Sequence, residues 1–103
     1  MIHVIATVKV ADGKRDTFLA EFRRVVPLVR AEKGCVEYGP TVDVETTLTA
    51  QGPVRNNTVV ILEKWQDIQS LEAHLIAAHM LEYRQRVKEL VESVSLQILH
   101  PAD

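Results

Sequence analysis

Side chains that can bind an aromatic ring and accept a proton from its hydroxyl group are concentrated in one short stretch of this chain. Trp65, His74, His79 and Tyr83 supply an indole, two imidazoles and a phenol. An imidazole titrates near neutral pH and can accept a phenolic proton. Arg84 adds a hydrogen-bond donor for a substrate oxygen. The stretch therefore predicts a pocket for a flat, oxidisable small molecule.

Each of these side chains also has a purely structural explanation. His74 lies near the apolar stripe of its helix, where a half-buried imidazole can bond a backbone carbonyl. Trp65 ends a buried strand and would serve as a core or intersubunit residue. His79 would begin a helix at the surface, with Tyr83 and Arg84 as solvated helix residues. Spacing alone leaves both explanations open.

The five-residue step from His74 to His79 argues against a shared metal ion. On an unbroken helix this step turns the two imidazoles away from a common face. A break near Ala78 would bring them back together, and His79 would share a face with Tyr83 at i, i+4. The single cysteine, Cys35, cannot form an internal disulfide or a cysteine cluster, and we expect a small buried hydrophobe there. We predict no metal.

Hydrophobic periodicity predicts six regular elements that would position these residues. Strands are indicated by an alternating pattern, and helices by apolar residues at spacings of three and four. The elements are a strand at 2–10, a helix at about 14–32, strands at 35–44 and 58–65, a helix from Ile68 that resumes over 79–92, and a strand through Val94, Leu96 and Ile98.

Single residues mark the boundaries between these elements. Pro27 is expected to kink the first helix or reset its last turns, and Gly34 to end it. Asp67 is a good N-cap for the second helix. The polar segment 45–57 is longer than a hairpin needs, so we interpret it as an extended loop reaching over a neighbour or a pocket.

The element order is β-α-β-β-α-β, which predicts a ferredoxin-like α+β fold in a single domain over 1–103. The third strand is apolar on both faces at 59–62, yet two helices cover only one face of the sheet. A second copy of the same sheet is the simplest cover for the other face. The sequence therefore predicts a homodimer.

Composition limits the kinds of partner that the protein is expected to bind. The chain has 103 residues and a net charge of −2, so there is no electrostatic reason to expect nucleic acid or an anionic membrane. No apolar run is long enough to span a bilayer. The first residues lack the pattern of a secretory signal, so a cytoplasmic protein is expected.

Several of these pieces, in this order, resemble the antibiotic biosynthesis monooxygenase family. The strand ending in Glu63-x-Trp65 is followed by Leu71-x-x-His74 and by a second histidine, and segment 34–38 also matches. The resemblance implies a dimeric α+β barrel. It also implies a cofactor-independent monooxygenase that uses molecular oxygen on a quinol, a hydroxylated aromatic or a polyketide-like ring.

The resemblance also implies roles for individual residues. His74 and His79 are the catalytic candidates, with His74 accepting or steering the phenolic proton. Trp65, Tyr83 and Arg84 are the substrate-binding candidates, with Trp65 packing against the ring. No phosphate loop or dinucleotide fingerprint occurs in the sequence, so we predict no cofactor.

The sequence departs from parts of this family. Ile61 stands where some polyketide-oxidising relatives have an asparagine, and segment 2–10 lacks the asparagine used by haem-degrading relatives. The same fold also hosts isomerases and non-catalytic ligand-binding or stress-response modules. Two imidazoles suffice for enolisation, so the sequence does not separate isomerisation from oxidation.

Overall fold

The seven elements of the protein follow the predicted order, with the second helical segment divided in two. A computed structural model describes residues 1–103. The four strands form one antiparallel sheet in the order β2-β3-β1-β4. This arrangement confirms the ferredoxin-like α+β fold. The elements are β1 (Ile2–Val10), α1 (Arg15–Arg30), β2 (Cys35–Thr41), β3 (Thr58–Trp65), α2 (Ile68–Leu75), α3 (Ala78–Val87) and β4 (Val91–Leu99).

The core lies between one face of the sheet and the helices. Alternate residues of β1, from Ile2 to Val10, are buried, because a strand directs successive side chains to opposite faces. From α1, Phe18, Phe22 and Val29 are fully buried against them. Each such side chain contributes about 1.5–3 kcal/mol through loss of apolar surface. The helices thus cover a single face of the sheet, as predicted.

Helix α1 continues past Pro27 and ends at Arg30, two residues before the predicted end. The backbone N–H of Ala31 still bonds the Pro27 carbonyl at 3.2 Å. The missing proline N–H leaves the Arg23 carbonyl without its usual partner, and Arg23 lies on the exposed side of the helix. Pro27 therefore does not end the helix.

Gly34 turns the chain from α1 into β2. Its φ of 85° lies in the left-handed region that favours glycine. A Cβ at this position would lie 2.1 Å from Ser70 Oγ, so the turn is also packed against the start of α2. The Gly34 carbonyl accepts a 2.9 Å bond from the Gln66 N–H. The turn thus holds the end of α1 close to the β3–α2 junction.

The break between α2 and α3 comes at residues 76–77, beside the predicted position. Asp67 caps α2 by accepting a 2.8 Å bond from the Ser70 N–H, as the sequence indicated. Helix α3 then begins at Ala78, after Ala77 in an extended conformation. The predicted extension of this helix to residue 92 is wrong. Instead the Leu90 N–H bonds the Val87 carbonyl, and this turn leads directly into β4.

Strand β2 ends at Thr41, three residues before the predicted end, and segment 42–57 has no regular structure. Asp43 and Arg55 form a two-point ion pair, with both contacts at 2.9 Å. Gln51 donates to the Val44 carbonyl at 2.8 Å. The loop is therefore internally bonded, and none of its side chains lines the cavity described below.

The sheet face opposite the helices carries an exposed apolar patch. Ile5 is 37% exposed and Leu62 is 42% exposed, and the half-buried Val60 lies beside them. These residues confirm that the third strand is apolar on both faces. The homodimer that this pattern predicted stays a prediction. None of the helices is both long and apolar enough to cross a membrane.

Candidate active site

A cavity of about 450 Å³ opens between the sheet and α3. Its volume lies in the range of small-molecule binding sites. Twelve of its sixteen lining residues are hydrophobic, including Ala6 and Ile61 from the sheet and Met80 and Val87 from α3. The other four are Glu63, His74, Arg84 and Lys88, and two of the twelve, Tyr38 and Tyr83, also carry a hydroxyl.

Glu32 joins the two histidines behind this cavity. A single carboxylate oxygen, Oε2, lies 2.9 Å from His74 Nδ1 and 2.7 Å from His79 Nε2. A carboxylate only accepts, so both of these ring nitrogens carry the proton. The helix break at residues 76–77 makes the arrangement possible, because on an unbroken helix the five-residue step would turn the two imidazoles away from a common face. No group of three or more His, Cys, Asp or Glu side chains is placed to hold a metal ion.

The remaining nitrogen of His74 faces the cavity. The side chain is 1% exposed and lines the cavity. Its Nε2 makes no hydrogen bond within the chain, yet no buried side-chain polar atom is sealed off without a partner, so this nitrogen opens on the cavity. Burial lowers the pKa of His74, and the hydrogen bond that its Nδ1–H donates to Glu32 partly opposes that shift. A neutral imidazole with Nδ1 protonated therefore presents a free lone pair to a ligand.

Aromatic contacts fix the orientation of the His74 ring. The ring centroid lies 4.8 Å from that of Trp65 and 5.3 Å from that of Tyr38. Packed rings at these distances restrict rotation about the side-chain bonds of the imidazole. The Glu32 bond and the two aromatic neighbours together preorganise His74.

Glu63 adds a buried carboxyl to the cavity wall. The indole N–H of Trp65 donates to Glu63 Oε1 at 2.9 Å. Burial, opposed by the bond from Trp65 and assisted by the nearby charge of Glu32, raises the pKa of Glu63 from its ordinary value of 4.5 to about 7. Glu63 is therefore a second group in the cavity that exchanges a proton near neutral pH.

Two phenols complete the polar lining. Burial raises the pKa of both Tyr38 and Tyr83 well above the ordinary value, so each phenol stays protonated at neutral pH. Both side chains line the cavity. Each can therefore donate to an oxygen of a bound molecule.

The structure divides the five residues singled out in the sequence into those that line the cavity and those that do not. His74, Tyr83 and Arg84 line the cavity. His79 does not, and it connects to the cavity only through Glu32 and His74. Trp65 is fully buried behind Glu63, so its expected packing against a bound ring is corrected to support of Glu63 and His74 from behind.

Three site residues had no role in the sequence-based prediction. Glu63 and Tyr38 belong to the segments that carried the family resemblance, and that position was a usable signal. Glu32 gave no such signal in the sequence, because 42 residues separate it from His74. Only the fold brings the end of α1 to the start of α3.

Residues 1–86 match the antibiotic biosynthesis monooxygenase family. The chain belongs to the antibiotic biosynthesis monooxygenase family. A relative from Escherichia coli (strain K12) named "Probable quinol monooxygenase YgiN" is 36% identical over 103 residues, covering 98% of each chain.

Solved structures share the fold of this antibiotic biosynthesis monooxygenase family member. PA3566 from Pseudomonas aeruginosa is 25% identical with a TM-score of 0.80, over 99% of this chain and 94% of that one. Rv0793 from Mycobacterium tuberculosis is 25% identical with a TM-score of 0.79, over 99% and 95%. The similarity thus extends over nearly the whole fold.

Proposed function

We propose that this protein is a cofactor-independent monooxygenase that oxidises a quinol or another hydroxylated aromatic ring. The observation that carries the proposal is the His74 Nε2 lone pair, which opens on an apolar cavity while Glu32 holds the opposite side of the ring. Membership of the family and the name of the E. coli relative support a monooxygenase. The cavity volume suits a ring of one to three fused cycles or a similar flat molecule.

The first step is removal of a phenolic proton. A ring bound between the sheet and α3 places a hydroxyl within reach of His74 Nε2, which takes its proton. Glu32 then stabilises the imidazolium, because its carboxylate already accepts the Nδ1–H bond. Tyr38 and Tyr83 donate hydrogen bonds to the substrate's oxygens.

The oxidation then uses electrons from the substrate alone. The quinolate transfers one electron to oxygen, and the resulting superoxide and semiquinone combine at a ring carbon to form a hydroperoxide. Cleavage of the O–O bond and loss of the ring C–H proton release one oxygen atom as water and leave the other as a carbonyl on the ring. A quinol and oxygen thus give a hydroxyquinone and water. The apolar walls of the cavity keep bulk water away from these reaction intermediates.

His79 has an indirect role in this scheme. It shares Glu32 with His74 and is itself partly exposed. We assign it to holding the Glu32 carboxylate in place, through the bond that its Nε2–H donates to Glu32 Oε2. It acts as a positioning residue rather than a catalytic one, since it does not line the cavity.

The test is oxygen uptake by purified, metal-free protein with a panel of quinols and anthrones. Replacement of one positioned proton-transfer group costs about 10²–10⁴-fold in rate, so His74→Ala should lower turnover by that factor. His100→Ala, an exposed histidine near the chain end, is the control and should retain full turnover. Full activity in His74→Ala would refute the assigned base while leaving the reaction class in place.

An isomerase is the alternative, and a specific observation favours it. His74 and Glu63 both face the cavity, and the pKa of Glu63 is about 7, so two groups there can exchange protons at neutral pH. Such a pair suits proton transfer next to a carbonyl. An isomerase would consume no oxygen with any quinol that binds, so the same oxygen measurement separates the two functions.

A further inference from the structure

Two cationic side chains at the cavity opening have no partner within the chain. Arg84 and Lys88 stand one turn apart on α3 and its C-cap, line the cavity and remain exposed. Neither makes an ion pair or a side-chain hydrogen bond. By contrast, Arg86 between them bonds Glu21 at 3.0 Å. The apolar cavity therefore has an uncompensated positive rim.

The one acidic residue that lines the cavity does not neutralise this rim. Glu63 is the only carboxyl among the lining residues, and it already accepts a bond from Trp65. Burial raises its pKa to about 7, so its negative charge is incomplete at neutral pH. The whole chain carries a net charge of −2, so a positive rim is not a general property of its surface.

We propose that this rim selects an aromatic substrate bearing an anionic group, such as a carboxylate, beside the ring that enters the cavity. The proposal rests on the proposed function for the identity of the ring, but charge recognition itself needs no turnover. Apolar walls bind the ring, and the two cations bind the acidic group at the solvent-exposed edge.

The two cations divide this task by position. The charge of Arg84 reaches the inner polar groups, since it lowers the pKa of His74 and opposes the rise in the pKa of Tyr83. Lys88 stands one turn further along the chain, at the C-cap of α3. Arg84 therefore lies nearer the reacting oxygens, and Lys88 is the determinant that distinguishes an acidic substrate from a neutral one.

The test compares two probes that differ only by a carboxylate, 1-hydroxy-2-naphthoate and 1-naphthol. Isothermal titration calorimetry without oxygen, at low salt, should show the acid binding about ten-fold more tightly. Lys88→Gln should weaken binding of the acid by about 3- to 10-fold and leave 1-naphthol unchanged, as expected for an exposed charge contact. The preference should shrink in 0.5 M NaCl, because salt screens exposed charges.

Lys14→Gln is the matched control, since Lys14 is exposed, makes no ion pair and lies outside the cavity. It removes the same charge and should change neither affinity. Equal binding of the two probes, no binding of either, or equal weakening by Lys88→Gln and Lys14→Gln would overturn the proposal.

Oxygen uptake with 1,4-dihydroxy-2-naphthoate separates this proposal from the proposed function. Preference for the acid without oxygen uptake would retain acid recognition and refute oxidation. Oxygen uptake with neutral quinols, without preference for the acid, would retain oxidation and refute acid recognition.

Discussion

The chemistry at the residue scale depends on one carboxylate that serves two imidazoles. Glu32 fixes the tautomer of His74, and this leaves the reactive lone pair directed to the cavity. Burial alone would make the imidazole a weaker base, because it disfavours the charged form. The Glu32 contact offsets part of that penalty. His74 is therefore neutral at rest and stabilised once it has accepted a proton.

The raised pKa of Glu63 leads to a prediction about the pH dependence of stability. Its folded pKa of about 7 lies above the ordinary 4.5, so between these values the folded state binds more protons than the unfolded state. Its contribution to stability is therefore fully present below about pH 4.5 and is lost as the pH rises to about 7. The loss amounts to about 3 kcal/mol at pH 8.

Glu63→Gln should remove this loss, because an amide cannot ionise and its oxygen can still accept the Trp65 bond. Urea unfolding at pH 4, 6 and 8 should show the variant gaining on the natural chain as the pH rises. Parallel pH dependence of the two proteins would show that the Glu63 carboxyl is not strained in the folded state.

At the element scale, local patterns predicted the strands, α1 and the helix break because each is encoded within a few residues. Alternation placed β1, the apolar run at 59–62 marked β3, and Asp67 placed the start of α2. The turn after Val87 carries no glycine or proline, so the sequence alone extended α3 too far. The Glu32–His74 contact depends on how α1 and α2 are brought together, which no local pattern specifies.

Gly34 is the element-scale site at which that packing can be tested. Gly34→Ala should destabilise the fold by about 2–4 kcal/mol, since its Cβ meets Ser70 Oγ and its φ is positive. Gly13→Ala is a matched control, because Gly13 has a φ of 75° but nothing within 4 Å of its Cβ. It should cost only about 1 kcal/mol. Equal losses of unfolding free energy in urea for the two variants would mean that the Ser70 side chain moves aside without a measurable loss of stability.

The whole molecule presents two different sheet surfaces. The helix-side face holds the core and the cavity, whereas the opposite face exposes an apolar patch on β1 and β3 among polar neighbours. The edge strand β4 is exposed along most of its length, and Val94 and Leu96 extend the apolar lining of the cavity to that edge. Exposed apolar patches of this kind mark surfaces that bind another molecule. No side chain of the loop 42–57 lines the cavity, and its reach over a neighbour stays a prediction.

A homodimer formed through the patch of Ile5, Val60 and Leu62 is the expectation that follows. Two copies of one sheet can pack face to face across a two-fold axis, and the same patch then covers itself. Leu62→Glu should produce monomers at micromolar concentration in sedimentation velocity, because it buries a charge at the centre of the interface. Ile76→Glu is the control, as this residue is 74% exposed between α2 and α3 and lies off the sheet. It should leave the dimer intact. A natural chain that sediments only as a monomer would refute the dimer, and monomers formed equally by both variants would place the interface elsewhere.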